Sequence, residues 1–134
     1  MKKKLFFTCL IGLMSMTSAY AKCVGGTEIT NSVGTTFCKS NVAMNWWTAY
    51  AWCRANDLHL ATMYEMCPSW DGNVGSGKCS ELSGSGNGYA MSATANGSNE
   101  VFNVSLSDGR TSFFGRERYE AYASGYGFIY AFCR

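Results

Sequence analysis

The sequence predicts an α+β domain braced by disulfides, with one main helix near the amino terminus and a short second helix against a mostly antiparallel sheet. Three observations carry that expectation. Apolar residues from Asn41 to Ala55 recur at helical spacing. From Tyr89 to Cys133 they alternate in short runs separated by turn signals. Six cysteines remain once the first 21 residues are set aside as a leader.

That leader is the first element. Lys2, Lys3 and Lys4 precede an apolar run from Leu5 to Met14, and Ala19-Tyr20-Ala21 has the small-x-small form that signal peptidase cuts. The run is shorter than the roughly 20 apolar residues of a membrane-crossing helix, so residues 1–21 read as a signal peptide and not as a span. Cleavage after Ala21 leaves residues 22–134 as a single domain, secreted or periplasmic. Losing three of the eleven Lys and Arg leaves eight against nine Asp and Glu, a net charge of −1. No basic field remains that would favour nucleic acid.

The mature cysteines are Cys23, Cys38, Cys53, Cys67, Cys79 and Cys133. An even count in a small exported chain reads as a disulfide framework, for which six cysteines allow about 15 pairings. Zinc would call for C-x2-C pairs and histidines, whereas the tightest cysteine spacing is Cys67 to Cys79 and the one histidine is His59. Each bridge is worth on the order of 2–4 kcal/mol to a domain too small to rely on its core alone.

Residues 23–38 are expected to form short extended segments, from Val24, Thr27, Ile29, Thr30, Val33 and Thr36, with turns at Gly25-Gly26 and Asn31-Ser32. Between Asn41 and Ala55, residues Ala43, Trp46, Trp47, Tyr50 and Cys53 give one broad apolar helical face. Ser40 or Asn41 suits its N-cap, and Asn56 a left-handed stop. Leu58, Leu60 and Thr62 alternate as a short strand, and Met63 to Cys67 make a helical turn that Pro68 ends. Residues 68–88, with six glycines among Ser, Asn and Asp, read as loop with little to bury. Strands follow at Tyr89–Thr94, Val101–Leu106, Thr111–Phe114 and Phe128–Cys133, with turns at Asn96-Gly97 and Asp108-Gly109.

Trp46-x2-Ala49-x3-Cys53, then Leu58-x-Leu60-Ala61-Thr62, and finally Ala131-Phe132-Cys133-Arg134 resemble the first helix, the next strand and the last strand of the C-type lectin-like domain. Asn45 to Tyr50 with Trp52-Cys53 is similar to short exported bacterial members of that family. The resemblance implies Cys53–Cys133 as the core bridge, Cys23–Cys38 closing an amino-terminal hairpin, and Cys67–Cys79 stapling the loop after the second helix. Sugar-binding members hold calcium through Glu-Pro-Asn or Gln-Pro-Asp and Trp-Asn-Asp, and none of these tripeptides occurs here. Asp71-x-Asn73 begins like a calcium loop, but Gly75 offers no side chain and Leu82 stands where a bidentate Glu is needed. No metal and no cofactor are therefore expected.

Nothing in the chain reads as catalytic. His59 is flanked by Leu58 and Leu60 as a structural or surface histidine, bridges consume the mature thiols, and no phosphate-binding glycine motif is present. Trp46, Trp47, Tyr50 and Trp52 read as core on their helical spacing and not as a sugar-stacking platform. Even so, Trp46, Trp47 and Trp52 cannot all share one face. The candidate ligand-binding residues are Arg110, Arg116, Arg118, Tyr119 and Tyr122, with Tyr126 beside them, because Arg and Tyr present large surfaces with polar tips. The expectation is a calcium-independent module that binds a protein or glycan. A structural subunit of an envelope or surface appendage, with no soluble ligand, is the alternative.

Overall fold

The computed structural model describes residues 23–120 and 127–134; the expected leader, Tyr122 and Tyr126 lie outside them. Strands β1 (Gly26–Thr30) and β2 (Thr36–Ala43) form a hairpin, followed by helices α1 (Trp46–Ala55) and α2 (Met63–Met66). After a 3-10 turn at Ser80–Leu82 come β3 (Tyr89–Asn96), β4 (Glu100–Ser105), β5 (Thr111–Gly115) and β6 (Ile129–Cys133). One sheet holds all six strands in the order β1-β2-β6-β3-β4-β5. Among the described strands, only the β3–β6 pairing is parallel.

Successive side chains of a strand point to opposite faces, and both faces of this sheet are covered. On one face Phe37, Ala90, Val104 and Phe132 pack beneath Met63, Met66, Trp70 and Leu82. On the other, Cys38, Met91, Val101, Ile129 and Cys133 pack beneath Ala49 and Cys53 of α1. The bridges are Cys23–Cys38, Cys53–Cys133 and Cys67–Cys79. The second joins α1 to β6 across 80 residues of sequence.

Four local expectations are corrected. Residues Ser40–Ala43 extend β2 instead of opening the helix, because β6 offers them partners: Ser40 Oγ accepts from the Ala131 N–H at 2.9 Å. The N-cap of α1 is Asn45, whose side chain accepts from the Thr48 N–H at 3.0 Å. At the far end Asn56 is not left-handed (φ −96°); Asp57 takes that conformation, at φ 57°. Residues 58–62 make no full strand. Instead Leu60 bridges Cys133, and the Ala61 N–H reaches the Phe132 carbonyl at 2.8 Å, on the flank of β6 that β3 leaves beyond Met91.

The stretch 68–88 is more than loop. Trp70, Cys79 and Leu82 are buried and form part of the layer over the sheet. Gly109 lies against the Cys79 carbonyl at φ 71°, a close approach that leaves no room for a Cβ. Phe128 likewise falls just outside β6 and is exposed.

A capping box closes α2. The Thr62 N–H donates to Glu65 Oε1 at 3.0 Å, and the Glu65 N–H donates to Thr62 Oγ1 at 3.2 Å. His59 Nε2 adds a bond to the same carboxylate at 2.9 Å. Burial pushes the Glu65 carboxyl up, but the Thr62 backbone and His59 outweigh it and hold the group below the usual carboxylate range. A depressed folded pKa stabilises the fold above the unfolded value of about 4.3, and that contribution is lost as pH falls through the folded pKa. Glu65→Gln is therefore expected to flatten the acid limb of stability as pH falls below about 5. Urea midpoints across that range check it, and superimposable acid limbs for the two proteins would contradict it.

Candidate functional site

Trp46 opens α1 directly after its N-cap, and the helix presents an aromatic ridge. Ala49 and Cys53 are buried, so residues on the neighbouring ridge, Trp47, Tyr50 and Arg54, turn outward. Trp47 is 55% exposed and Tyr50 42%. The rings are held in place by one another. Trp46 stacks on Tyr50 at 5.4 Å between centroids and 25° between planes, and meets Trp47 edge-on at 6.3 Å and 88°. The Arg116 guanidinium lies 4.9 Å from the Trp46 ring centroid, and that of Arg54 lies 5.9 Å from the Tyr50 centroid.

Backbone bonds fix Arg116 against the helix. Its carbonyl accepts from the Trp46 N–H at 2.8 Å, and its own N–H donates to the Asn99 carbonyl at 2.9 Å. Its guanidinium also donates to the Ser98 carbonyl. The β3–β4 turn and the end of β5 are thereby locked to the start of α1.

Asn99 leads from this cluster into a groove of about 290 Å³ lined by Asn99, Glu100, Phe113, Phe114, Gly115, Glu117 and Arg118. Phe114 packs edge-on against Tyr89 at 5.3 Å, which gives the groove a rigid wall. Exposed Phe113 also lines a second depression of about 190 Å³, formed with Gly72, Asn73, Val74, Asn96 and Phe102.

The structure brings Arg116 and Arg118 to this surface, while Tyr119 is exposed just beyond and its carbonyl accepts from the Ile129 N–H at 2.9 Å. Arg110 does not join them. It sits at the other end of β5, its N–H bonded to Asp108 Oδ1 at 2.9 Å, separated from Arg116 by about 20 Å of extended chain. Tyr122 lies outside the described residues. The sequence reading missed Trp47 and Tyr50 as surface groups. The signal available was Arg54, which completes their i, i+3, i+7 ridge with a charge that belongs in water.

Two other sequence features are absorbed by local structure. The Asp71 carboxylate pairs with Lys78 Nζ at 2.6 Å, which with the Asn73 N–H holds it below the usual carboxylate range. Among the described residues, one grouping of possible metal ligands occurs, Cys67, Cys79 and Glu81, and its two cysteines are bonded to each other. No family model matches the chain, and no curated protein matches it in sequence. No helix among the described residues is long and apolar enough to cross a membrane. Three disulfides fit an oxidising compartment.

Proposed function

We propose that this chain is an exported, calcium-independent binding module that recognises a glycan or protein ligand on the aromatic face of α1 and the adjoining groove. The observation that carries it is the exposure of Trp47 and Tyr50 while Trp46 and Arg116 fix their orientation. Exposed aromatic rings whose rotamers are already restrained offer stacking area at low entropic cost, the property that makes Trp, Tyr and Arg the anchors of recognition surfaces. The element order, and a bridge from first helix to last strand, support a C-type lectin-like architecture. Asp71 is engaged by Lys78 and the calcium tripeptides are missing, which favours recognition without the ion.

The test is capture on a glycan array and on immobilised surface proteins, with and without chelator. Wild-type capture should survive chelation. Trp47→Ala combined with Tyr50→Ala should weaken it at least tenfold, about 1.4 kcal/mol, with an unchanged circular dichroism spectrum. Arg110→Ala, remote from the face, should leave it intact. Equal capture by the double variant, or loss on chelation, would overturn the proposal.

A further inference from the structure

The Cys23–Cys38 and Cys53–Cys133 bridges are not independent. Cys38 of β2 and Cys133 of β6 are direct register partners on antiparallel strands. Partners of that kind sit about 4.5–5.5 Å apart at Cα with side chains on the same face. That spacing falls inside the range of about 4.4–6.8 Å that a disulfide spans. Cys38 and Cys133 therefore each face a second possible partner, in the same buried cluster under α1. Access is one-sided. Cys53, Cys133, Cys67 and Cys79 are fully buried and Cys38 nearly so, whereas Cys23 is partly exposed. A pocket of about 160 Å³ opens there, lined by Cys23, Cys38 and Cys133 together with Glu28, Leu58 and Arg134.

We infer that the two bridges form an exchange relay in which reduction at the surface bond releases the helix tether. A dithiol reductant attacks Cys23 Sγ, forming a mixed disulfide and expelling Cys38 as thiolate; the reductant's second thiol then closes on the first and frees Cys23 as a thiol. The Cys38 thiolate attacks Cys133 Sγ. The Cys38–Cys133 bond forms, the Cys133–Cys53 bond breaks, and its electron pair leaves on Cys53 Sγ, which takes up a proton. Two electrons pass from the dithiol, and two thiols appear, at Cys23 and Cys53. The chain-entropy contribution of the core bridge is largely retained, because residues 38 and 133 close a loop even longer than residues 53 and 133 do. What changes is α1, which loses its covalent tie to β6 while the strands stay crosslinked. The redox state of a surface bond thereby reaches the helix that carries Trp46, Trp47 and Tyr50, and the exchange holds whatever that face binds.

Limited reduction of the oxidised protein with dithiothreitol, trapping with iodoacetamide and peptide mapping provide the test. The species with two alkylated cysteines should carry the label mainly at Cys23 and Cys53, with Cys38 and Cys133 recovered as one disulfide-linked peptide pair. Label mainly at Cys23 and Cys38, at Cys67 and Cys79, or at all six cysteines with no two-thiol species would overturn the relay. Cys23→Ser supplies a second readout that needs no reductant. Its single thiol should map mainly to Cys53 after equilibration, and a thiol that stays on Cys38 would overturn the proposal independently.

Discussion

Replacing Cys53 and Cys133 together by alanine is expected to cost about 4–5 kcal/mol, the largest loss among the three bridges. The bridge spans 80 residues, against 15 for Cys23–Cys38 and 12 for Cys67–Cys79. On the chain-entropy account the two short closures contribute about 3 kcal/mol each, so the order is set by a logarithm of loop length and the gap is modest. Burial widens it. Cys53 and Cys133 are fully enclosed between α1 and β6, so truncation also leaves a cavity, whereas Cys23 lies partly at the surface. Domains of this size have about 5–15 kcal/mol in total, so the double variant should sit close to its unfolding threshold. Urea midpoints of the three double-alanine variants, measured without reductant, give the order. A Cys23/Cys38 variant that loses as much as the Cys53/Cys133 one would contradict the argument.

That bridge also explains which parts of the fold could be read in the sequence. The alternation in residues 89–133 and the helical period after Trp46 are local signals, and they produce strands and a helix where expected. The beginning of α1 is not a local matter. Residues 40–43 suit a helix until β6, some ninety residues later, supplies hydrogen-bonding partners and draws them into β2. The orientation of α1 is a similar case. Its period allows either the ridge of Trp46, Ala49 and Cys53 or that of Trp47, Tyr50 and Arg54 to face inward. The tie from Cys53 to β6 selects the first and turns Trp47 and Tyr50 outward. Arg110 and Arg116 looked like members of one cluster because they are near in sequence, yet an extended β5 places them at opposite ends. Proximity in sequence means separation along a strand and proximity around a helix, so the same spacing misleads in one element and informs in the other.

Trp70→Ala is expected to cost about 3–5 kcal/mol, a loss out of keeping with a residue in a glycine-rich loop. Trp70 is only 6% exposed. Its ring meets Phe102 of β4 at 4.7 Å and Tyr64 of α2 at 5.2 Å, and its Nε1–H donates to the Asn73 carbonyl at 2.9 Å. One side chain thus joins the second helix, the sheet and the segment that runs between Cys67 and Cys79. Periodicity could not reveal this, because Gly72, Gly75 and Gly77 separate Trp70 from Cys79, and Cys79 and Leu82 flank a single turn too short to show a period. Removing the indole opens the layer over Val104 and Leu106, while the Cys67–Cys79 bridge keeps the segment from leaving altogether. Trp70→Phe separates the two contributions. It keeps a ring against Phe102 but gives up the bond to Asn73, and should lose about 1–2 kcal/mol. Urea midpoints rank the three proteins, with wild type most stable and Trp70→Ala least. A loss below about 1 kcal/mol for Trp70→Ala would mean that residues 68–88 contribute no layer to the core.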